Sequence, residues 1–216
     1  MVLVVAIALV VFEGCEPRGS HSAPAVDRKV LPAPRRDGGP ALESVLASRR
    51  SMRVYGVRDL DDAELGQLLW AGQGVIDGHR TAPSAGALYP LTLRVADANG
   101  IWRYVPEDHS VVRESAGDRR TAIATSSSSQ EALRAAPAIL VITADVAITA
   151  RKYGDRAERY AMLEAGHVAQ NVLLEATGLG LAAVPVGAFD DDAVRRAIAF
   201  PAAETPLYLI PVGAPP

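Results

Sequence analysis

The clearest pattern of apolar and polar positions lies in residues 158–190. On a helical wheel one stripe of this stretch is polar and the rest is mostly apolar, which predicts one long helix packed on a core. Gly178 and Gly180 end the helix. An apolar run at 181–186 then predicts a buried strand, and Asp190 caps a further helix. The polar stripe consists of Tyr160, Glu164, His167, Asn171 and Glu175.

The remaining pattern mixes short helices with strands. Asp61 and Glu64 have the spacing of a capping box, and Asn99-Gly100 is a strong signal for a hairpin turn. This mixture predicts a core of the α/β or α+β class. Helices are predicted at 41–50, 61–72 and 130–135, and strands at 91–96, 101–105, 138–143 and 207–212.

Composition narrows the class of protein. The chain has 216 residues, 49% of them hydrophobic, and can bury one core in a domain of about 175 residues. Its net charge of -3 gives no indication of nucleic-acid binding. A single cysteine, Cys15, excludes an intrachain disulfide.

The N-terminus predicts export. Residues 1–12 are almost all apolar and have the length of a signal-peptide core, although no Lys or Arg precedes them. Gly14-Cys15 resembles the cleavage site of bacterial lipoproteins, so we expect residues 1–15 to lead to a membrane-anchored lipoprotein or a periplasmic protein. The alternatives are a mis-set start codon or an uncleaved anchor, with a cytoplasmic location if there is no export. The Pro-rich residues 16–40 predict a disordered linker before a domain at 41–216.

Two segments have candidate chemistry. Arg49, Arg50, Ser51 and Arg53 could clamp a phosphate, because guanidinium groups offer forked donors to its oxygens, but a solvated basic turn is the commoner outcome. The small residues at 80–90 would let a flat ligand approach the backbone closely, or would form a plain glycine-rich loop. No metal site is predicted, because the Glu-x-x-His spacing in the long helix lacks a second such pair.

Taken together, six blocks of sequence resemble the SagB-type dehydrogenases of the nitroreductase superfamily. The blocks are RRSMRVYG, LLWAGQGV, RTAPSAGALYP, KYGDRAERYAMLEAGHVAQN, GLGLAAVPVGAFDDD and PLYLIPVGAP. The resemblance runs from about residue 42 to the C-terminus. It implies an α+β, nitroreductase-like fold with a mostly antiparallel central sheet flanked by helices. It also implies a homodimer with two FMN sites at the subunit interface.

The resemblance assigns roles to individual residues. It implies that Arg49, Arg50, Ser51 and Arg53 hold the phosphate and ribityl chain of FMN. A second group, Pro83, Ser84, Ala85 and Gly86, would line the flavin ring. In a third group, Pro185, Val186, Gly187 and Ala188, a backbone N–H of Ala188 or Gly187 would face flavin N5. Many relatives carry a further basic residue after the final Pro-x-Gly segment, and this sequence has none there.

The family activity implied by this resemblance is oxidation of thiazoline or oxazoline rings in modified peptides. Lys152 and Tyr153 match the catalytic pair of the azoline-oxidising members. Such a reaction needs a base opposite the flavin, and an adjacent ammonium would favour the phenolate form of a tyrosine. One alternative is a broad NAD(P)H-dependent nitro or quinone reductase that acts on small molecules, in which the Lys152-Tyr153 pair is structural. The other is a non-catalytic flavin-binding lipoprotein. We expect contact with a membrane only through an N-terminal anchor.

Overall fold

The computed structural model describes residues 27–128 and 130–216. The predicted signal segment at 1–15 and the first part of the predicted linker, residues 16–26, lie outside these residues. The helices are α1 (Leu42–Ser48), α2 (Asp62–Gln73), α3 (Arg120–Ala124), α4 (Gln130–Ala135), α5 (Val146–Tyr153), α6 (Ala157–Gly178) and α7 (Asp191–Ile198). The strands are β1 (Arg28–Val30), β2 (Val75–Ile76), β3 (His79–Arg80), β4 (Leu91–Asp97), β5 (Gly100–Val105), β6 (Ser110–Ala116), β7 (Ala138–Ala144), β8 (Ala182–Ala183) and β9 (Thr205–Gly213).

A seven-stranded sheet forms the centre of the domain. Its strand order is β1-β6-β5-β4-β7-β9-β8, and every neighbouring pair is antiparallel. The central strand β7 is buried along its whole length, as its continuous apolar run predicts. One face of the sheet packs against α2 and α6, and the other packs against α3, α4 and α7. The predicted α+β class with a mostly antiparallel sheet is therefore confirmed.

Local signals place the helix and hairpin boundaries. The Asp61 side chain accepts from the Glu64 N–H, and the Glu64 side chain accepts from the Asp61 N–H, so the predicted capping box forms at the start of α2. The Asp190 side chain likewise accepts from the Ala193 N–H and caps α7. The hairpin β4–β5 turns at residues 98–99, where the Asp97 side chain accepts from two backbone N–H groups.

Two predictions need correction. The disordered linker does not extend through residues 28–31, because β1 pairs with β6 at the edge of the sheet and Leu31 is buried in the core. The predicted strand at 181–186 is a ladder only at Ala182–Ala183. Pro185 has no N–H to continue it, and the next pairing is the isolated bridge between Val186 and Leu209.

Within the described part of the chain, no helix combines the length and apolar character needed to cross a membrane.

Candidate active site

The loop at residues 83–89 has an unusual backbone. Gly86, Ala87 and Tyr89 all have φ between 50° and 61°, in the left-handed region. Such conformations cost about 1 kcal/mol or more for a residue with a side chain, so neighbouring contacts must hold them. The Tyr89 N–H donates to Ser84 Oγ over 2.9 Å. Arg80 lies over the Tyr89 ring, with its guanidinium carbon 4.8 Å from the ring centroid.

Gly86 meets Lys152 and Tyr153, which end α5. A Cβ atom placed on Gly86 would lie 2.8 Å from Lys152 Nζ and 2.8 Å from the Tyr153 hydroxyl oxygen. The Tyr153 ring makes an edge-to-face contact with Tyr160 at 5.1 Å between centroids, which fixes its direction. Two sequence-predicted groups that lie 66 positions apart in the chain therefore share one site.

The polar stripe of α6 contacts this loop at His167 and the segments around α2 at Asn171. His167 Nδ1 lies 3.4 Å from the Pro83 carbonyl oxygen. The Asn171 side chain donates to the carbonyls of Ala71 and Thr81, so it is a satisfied polar group that joins α6 to the segments around α2. The Glu164 side chain is buried, and burial raises the pKa of its carboxyl.

The arginine-rich segment lies beside β8, an edge strand of the sheet. It follows α1, and the Met52 N–H donates to the Ala183 carbonyl over 3.0 Å. Arg49 is half-buried, whereas Arg50, Ser51 and Arg53 are exposed. Nearby, burial raises the pKa of the Tyr55 phenol, and the positive charge of Arg53 opposes that shift. The backbone hydrogen bond to β8 brings these cationic side chains to the strand that leads into residues 185–188.

The turn at residues 185–188 is held from both sides. Val186 exchanges backbone hydrogen bonds with Leu209, and Ser127 Oγ donates to the Ala188 carbonyl over 2.7 Å. Gly187 and Ala188 are exposed, and their N–H groups donate no hydrogen bond to any described residue. Two adjacent backbone donors are thus available to a ligand.

A cavity of about 600 Å³ opens beside this turn. The α6 helix contributes Ala161 and Ala165 to its wall, and β9 contributes Leu207 and Tyr208. Gly187 also lines it. An apolar wall with free backbone donors at one side fits a flat heterocycle. The arginines of residues 49–53 do not line this cavity, but their segment bonds to β8 just before the turn, and guanidinium groups fit a phosphate. The residues present therefore fit FMN.

The predicted site residues fall into two groups. The first group combines residues 83–86 with Lys152 and Tyr153. The second combines residues 49–53 with the turn at 185–188. Among the described residues no hydrogen bond or ion pair joins a member of one group to a member of the other.

Comparison with known proteins identifies the family. The model of the nitroreductase family matches residues 46–214. The chain belongs to the nitroreductase family. A protein of Methanocaldococcus jannaschii assigned as a nitroreductase is 44% identical in an alignment 180 residues long that covers 80% of this chain and 90% of that protein.

Solved structures of nitroreductases share the fold. A protein of Ralstonia eutropha JMP134 assigned as a nitroreductase superposes with a TM-score of 0.81 and 27% identity, covering 90% of this chain and 92% of that one. The NADPH:FMN oxidoreductase of Vibrio harveyi has a TM-score of 0.61 and 21% identity, with 81% of this chain and 68% of that one covered. The fold is nitroreductase-like, and family membership makes the protein an oxidoreductase.

Other residues near the candidate site had no signal in the sequence. Ser127 lies in a run of four serines and gave no indication of its contact with Ala188. Gln73 and Arg80 bond to each other beside Glu164, where only their place in the fold brings them together. No group of residues suited to a metal ion occurs in the described part of the chain.

Proposed function

We propose that this nitroreductase-family protein is an FMN-dependent oxidoreductase whose substrate is a heterocycle in a modified peptide. The contact of Gly86 with the Lys152 ammonium and the Tyr153 hydroxyl supports it most directly. When bound, a flavin exchanges a hydride with an organic substrate through N5. The side chains of the protein bind, orient and move protons around that exchange.

Arg49, Arg50, Ser51 and Arg53 would hold the FMN phosphate and ribityl chain. Their position beside β8 supports this role, since the same strand leads to the free N–H groups of Gly187 and Ala188. Charge-assisted hydrogen bonds from guanidinium groups suit phosphate oxygens. The turn at 185–188 would then orient the flavin ring, with Pro185 and Val186 fixing the backbone that precedes the donors.

A homodimer would complete the site. One protomer contributes the arginines and the turn, and its partner contributes the 83–89 loop with Lys152 and Tyr153. Exposed apolar side chains support such an interface, because large apolar groups left in water indicate a binding surface. They are Leu42, Leu46, Val54, Val57, Met162 and Leu163.

Mixing two inactive variants tests the shared site. We would combine a double Arg49→Ala, Arg53→Ala variant with a Tyr153→Phe variant and allow subunits to exchange. A heterodimer then holds one intact site, so activity should return to about a quarter of the wild-type value for random pairing. Mixtures that stay inactive after verified subunit exchange would show that one protomer forms each site alone.

Lys152 and Tyr153 would remove the proton during aromatisation of a thiazoline or oxazoline. That step needs a proton acceptor opposite the flavin, and Lys152 Nζ and the Tyr153 hydroxyl oxygen lie on the same side of Gly86, each 2.8 Å from the position of a Cβ there. The ring of Tyr153 is held by Tyr160, so the oxygen keeps a fixed direction toward the 83–89 loop.

A nitro or quinone reductase supplied by NAD(P)H is the second candidate. The M. jannaschii relative assigned as a nitroreductase, 44% identical, favours it. Two anaerobic experiments distinguish the two candidate functions: the purified protein is mixed with an azoline peptide in one and with NAD(P)H in the other. Flavin bleached by an azoline peptide, with thiazole formed in equal amount, supports the first function. Bleaching by NAD(P)H alone supports the second.

We also propose that the protein is exported and anchored through Cys15. Cys15→Ser should move it from the membrane fraction to the soluble fraction without changing flavin chemistry. Wild-type protein that is soluble and retains Met1 would contradict anchoring.

A further inference from the structure

The last strand of the sheet, β9, contains one extra residue beside the cavity. Its register with β7 is regular from the C-terminal end of the strand to Tyr208, which pairs with Ile142. The next residue of β7, Thr143, pairs with Pro206. Leu207 is therefore left out of the ladder between the two strands, which is a β-bulge. Bulges re-aim side chains and are common next to active sites.

The bulge turns Leu207 toward the cavity. Side chains alternate between the two faces of a regular strand. Ile210 packs on the face covered by α2 and α6, and Leu209 packs on the opposite face. Regular alternation would place Tyr208 with Ile210, and Leu207 with Leu209. Instead, Leu207 and Tyr208 both pack on the α6 face, and both line the cavity beside Gly187.

A buried charged cluster occupies the opposite face at the same place. Arg94 of β4 is 1% exposed, and its guanidinium donates to both carboxylate oxygens of Glu204, over 2.6 and 3.1 Å. It also donates over 2.8 Å to Thr143 Oγ1, on the β7 residue where the register shifts. The Phe200 ring of the core on that face lies 5.6 Å from the guanidinium carbon. Because Glu204 directly precedes β9 and a bidentate pair fixes direction as well as distance, the cluster fixes how the strand begins.

The two side chains on the cavity side suit a planar ring. A Cβ on Gly187 would lie 3.7 Å from Tyr208 Cε1, so the tyrosine ring lies next to the turn that has two free backbone donors. The Tyr208 hydroxyl has no hydrogen bond to any residue that the structure describes. An aromatic ring and an aliphatic side chain give an apolar surface, and the hydroxyl adds a hydrogen-bonding group. A regular strand would offer Tyr208 alone.

We propose that the bulge belongs to the binding site: it turns Leu207 beside Tyr208 so that both side chains contact the planar ring bound at the 185–188 turn. Arg94 and Glu204 are positioning residues, which hold the bulge from the other face of the sheet. This inference rests on the proposed function, in which that ring is the flavin of FMN.

Single-cysteine variants of the full-length protein test the bulge. Cys15→Ser removes the only cysteine, and Leu207→Cys, Tyr208→Cys or Leu209→Cys is then added. In flavin-free protein the thiols at positions 207 and 208 should react with a thiol reagent at similar rates. Both should react about a hundredfold or more faster than the thiol at position 209, where the native side chain is fully buried. Equally slow reaction at positions 207 and 209 would overturn the proposal.

Addition of FMN tests the contact. Saturating FMN should slow the reaction of the thiols at positions 207 and 208 by about tenfold or more, because a bound ring covers them. Thiols that stay reactive while FMN is bound would overturn the contact and leave the proposed function standing. The Cys15→Ser parent separates the other case: if it takes up no FMN, the proposed function fails together with the contact.

An apolar replacement of the ion pair tests its positioning role. Removing one partner would leave an uncompensated buried charge, whereas Arg94→Met with Glu204→Leu replaces both, a change that is often neutral for stability. Glu114, which also binds Arg94, keeps its ion pair with Arg103. The unfolding temperature should stay near that of the parent, while FMN affinity and the reactivity of the thiol at position 207 should each fall by about tenfold. A folded double variant with unchanged affinity and reactivity would show that the pair does not hold the bulge.

Discussion

The 83–89 loop and the 185–188 turn each contain a glycine at the candidate site, but the protein structure requires a glycine at only one of the two positions. Gly86 has φ of 61°, and a Cβ there would press on Lys152 and Tyr153. Gly187 has no positive φ, and the atom nearest to a methyl group added there would be Tyr208 Cε1, at an ordinary 3.7 Å. The packing of the chain explains Gly86. A side chain at position 187 would be excluded on steric grounds only by a ligand that lies close to the turn.

The largest expected effect comes from Gly86→Ala. The left-handed backbone should cost about 1–2 kcal/mol, and the methyl group must displace Lys152, Tyr153 or the loop. We expect turnover to fall by about a hundredfold or more, because a displacement of about 1 Å in a site has that effect. Thermal unfolding and steady-state turnover of the same preparation measure the two consequences.

Gly78→Ala is the matched control for that variant. Gly78 also has a positive φ, 82°, but no atom lies within 4 Å of the added Cβ. It should show a similar loss of stability and nearly normal turnover. Equal turnover in the two variants would mean that Gly86 matters only for backbone conformation.

Tyr153→Phe should lower turnover of the physiological substrate by about a hundredfold, the usual contribution of a positioned base. The ring contact with Tyr160 remains, so fold and flavin content should stay unchanged. Tyr160→Phe keeps the same contact and serves as the control, with turnover near that of wild type. Full activity of Tyr153→Phe would make the pair structural and favour the reductase.

Arg49→Ala and Arg53→Ala should each weaken FMN binding by about 1.5–3 kcal/mol, the range for a charge-assisted hydrogen bond. Arg119→Ala, an exposed arginine at the start of α3, should not change it. Titration of FMN into flavin-free protein measures the affinity. Flavin retention equal to wild type in both Arg49 and Arg53 variants would remove these side chains from the site.

Gly187→Ala should have the smallest effect of these variants, and the effect should be confined to FMN affinity. The flavin-free protein has room for the methyl group, so its unfolding temperature should stay within about 2 °C of wild type. FMN affinity should fall about tenfold if the ring packs against the turn, equivalent to about 1.4 kcal/mol. Unaltered affinity would place the flavin elsewhere and break the contrast with Gly86.

Elements controlled by neighbours in sequence were predictable. The capping box of Asp61 and Glu64 involves residues three apart, and the β4–β5 hairpin follows from Asn99 and Gly100. Strand β1 was missed because its pairing partner Ser110–Ala116 is some 80 residues away and prolines surround it. The strand is also three residues long and largely exposed, with Val30 71% accessible. It therefore has no run of buried apolar residues that a sequence pattern could detect.

The site was predictable by residue type and not by arrangement. Family resemblance singled out Gly86, Lys152 and Tyr153, but their mutual contact depends on how α5 packs beside the loop. The helical pattern placed Glu164 in a polar stripe without indicating that its carboxyl would be buried with an unsatisfied oxygen. Such environments depend on contacts between residues that are distant in the sequence. The hydrophobic and polar pattern along the chain carries no information on those contacts.

The flavin content of the purified protein tests the central claim most directly. We predict a yellow homodimer with one FMN per protomer, in which the flavin is reduced anaerobically by its substrate and reoxidised by an acceptor. A colourless protein that takes up no FMN during reconstitution, although folded and dimeric, would contradict a flavin-dependent function.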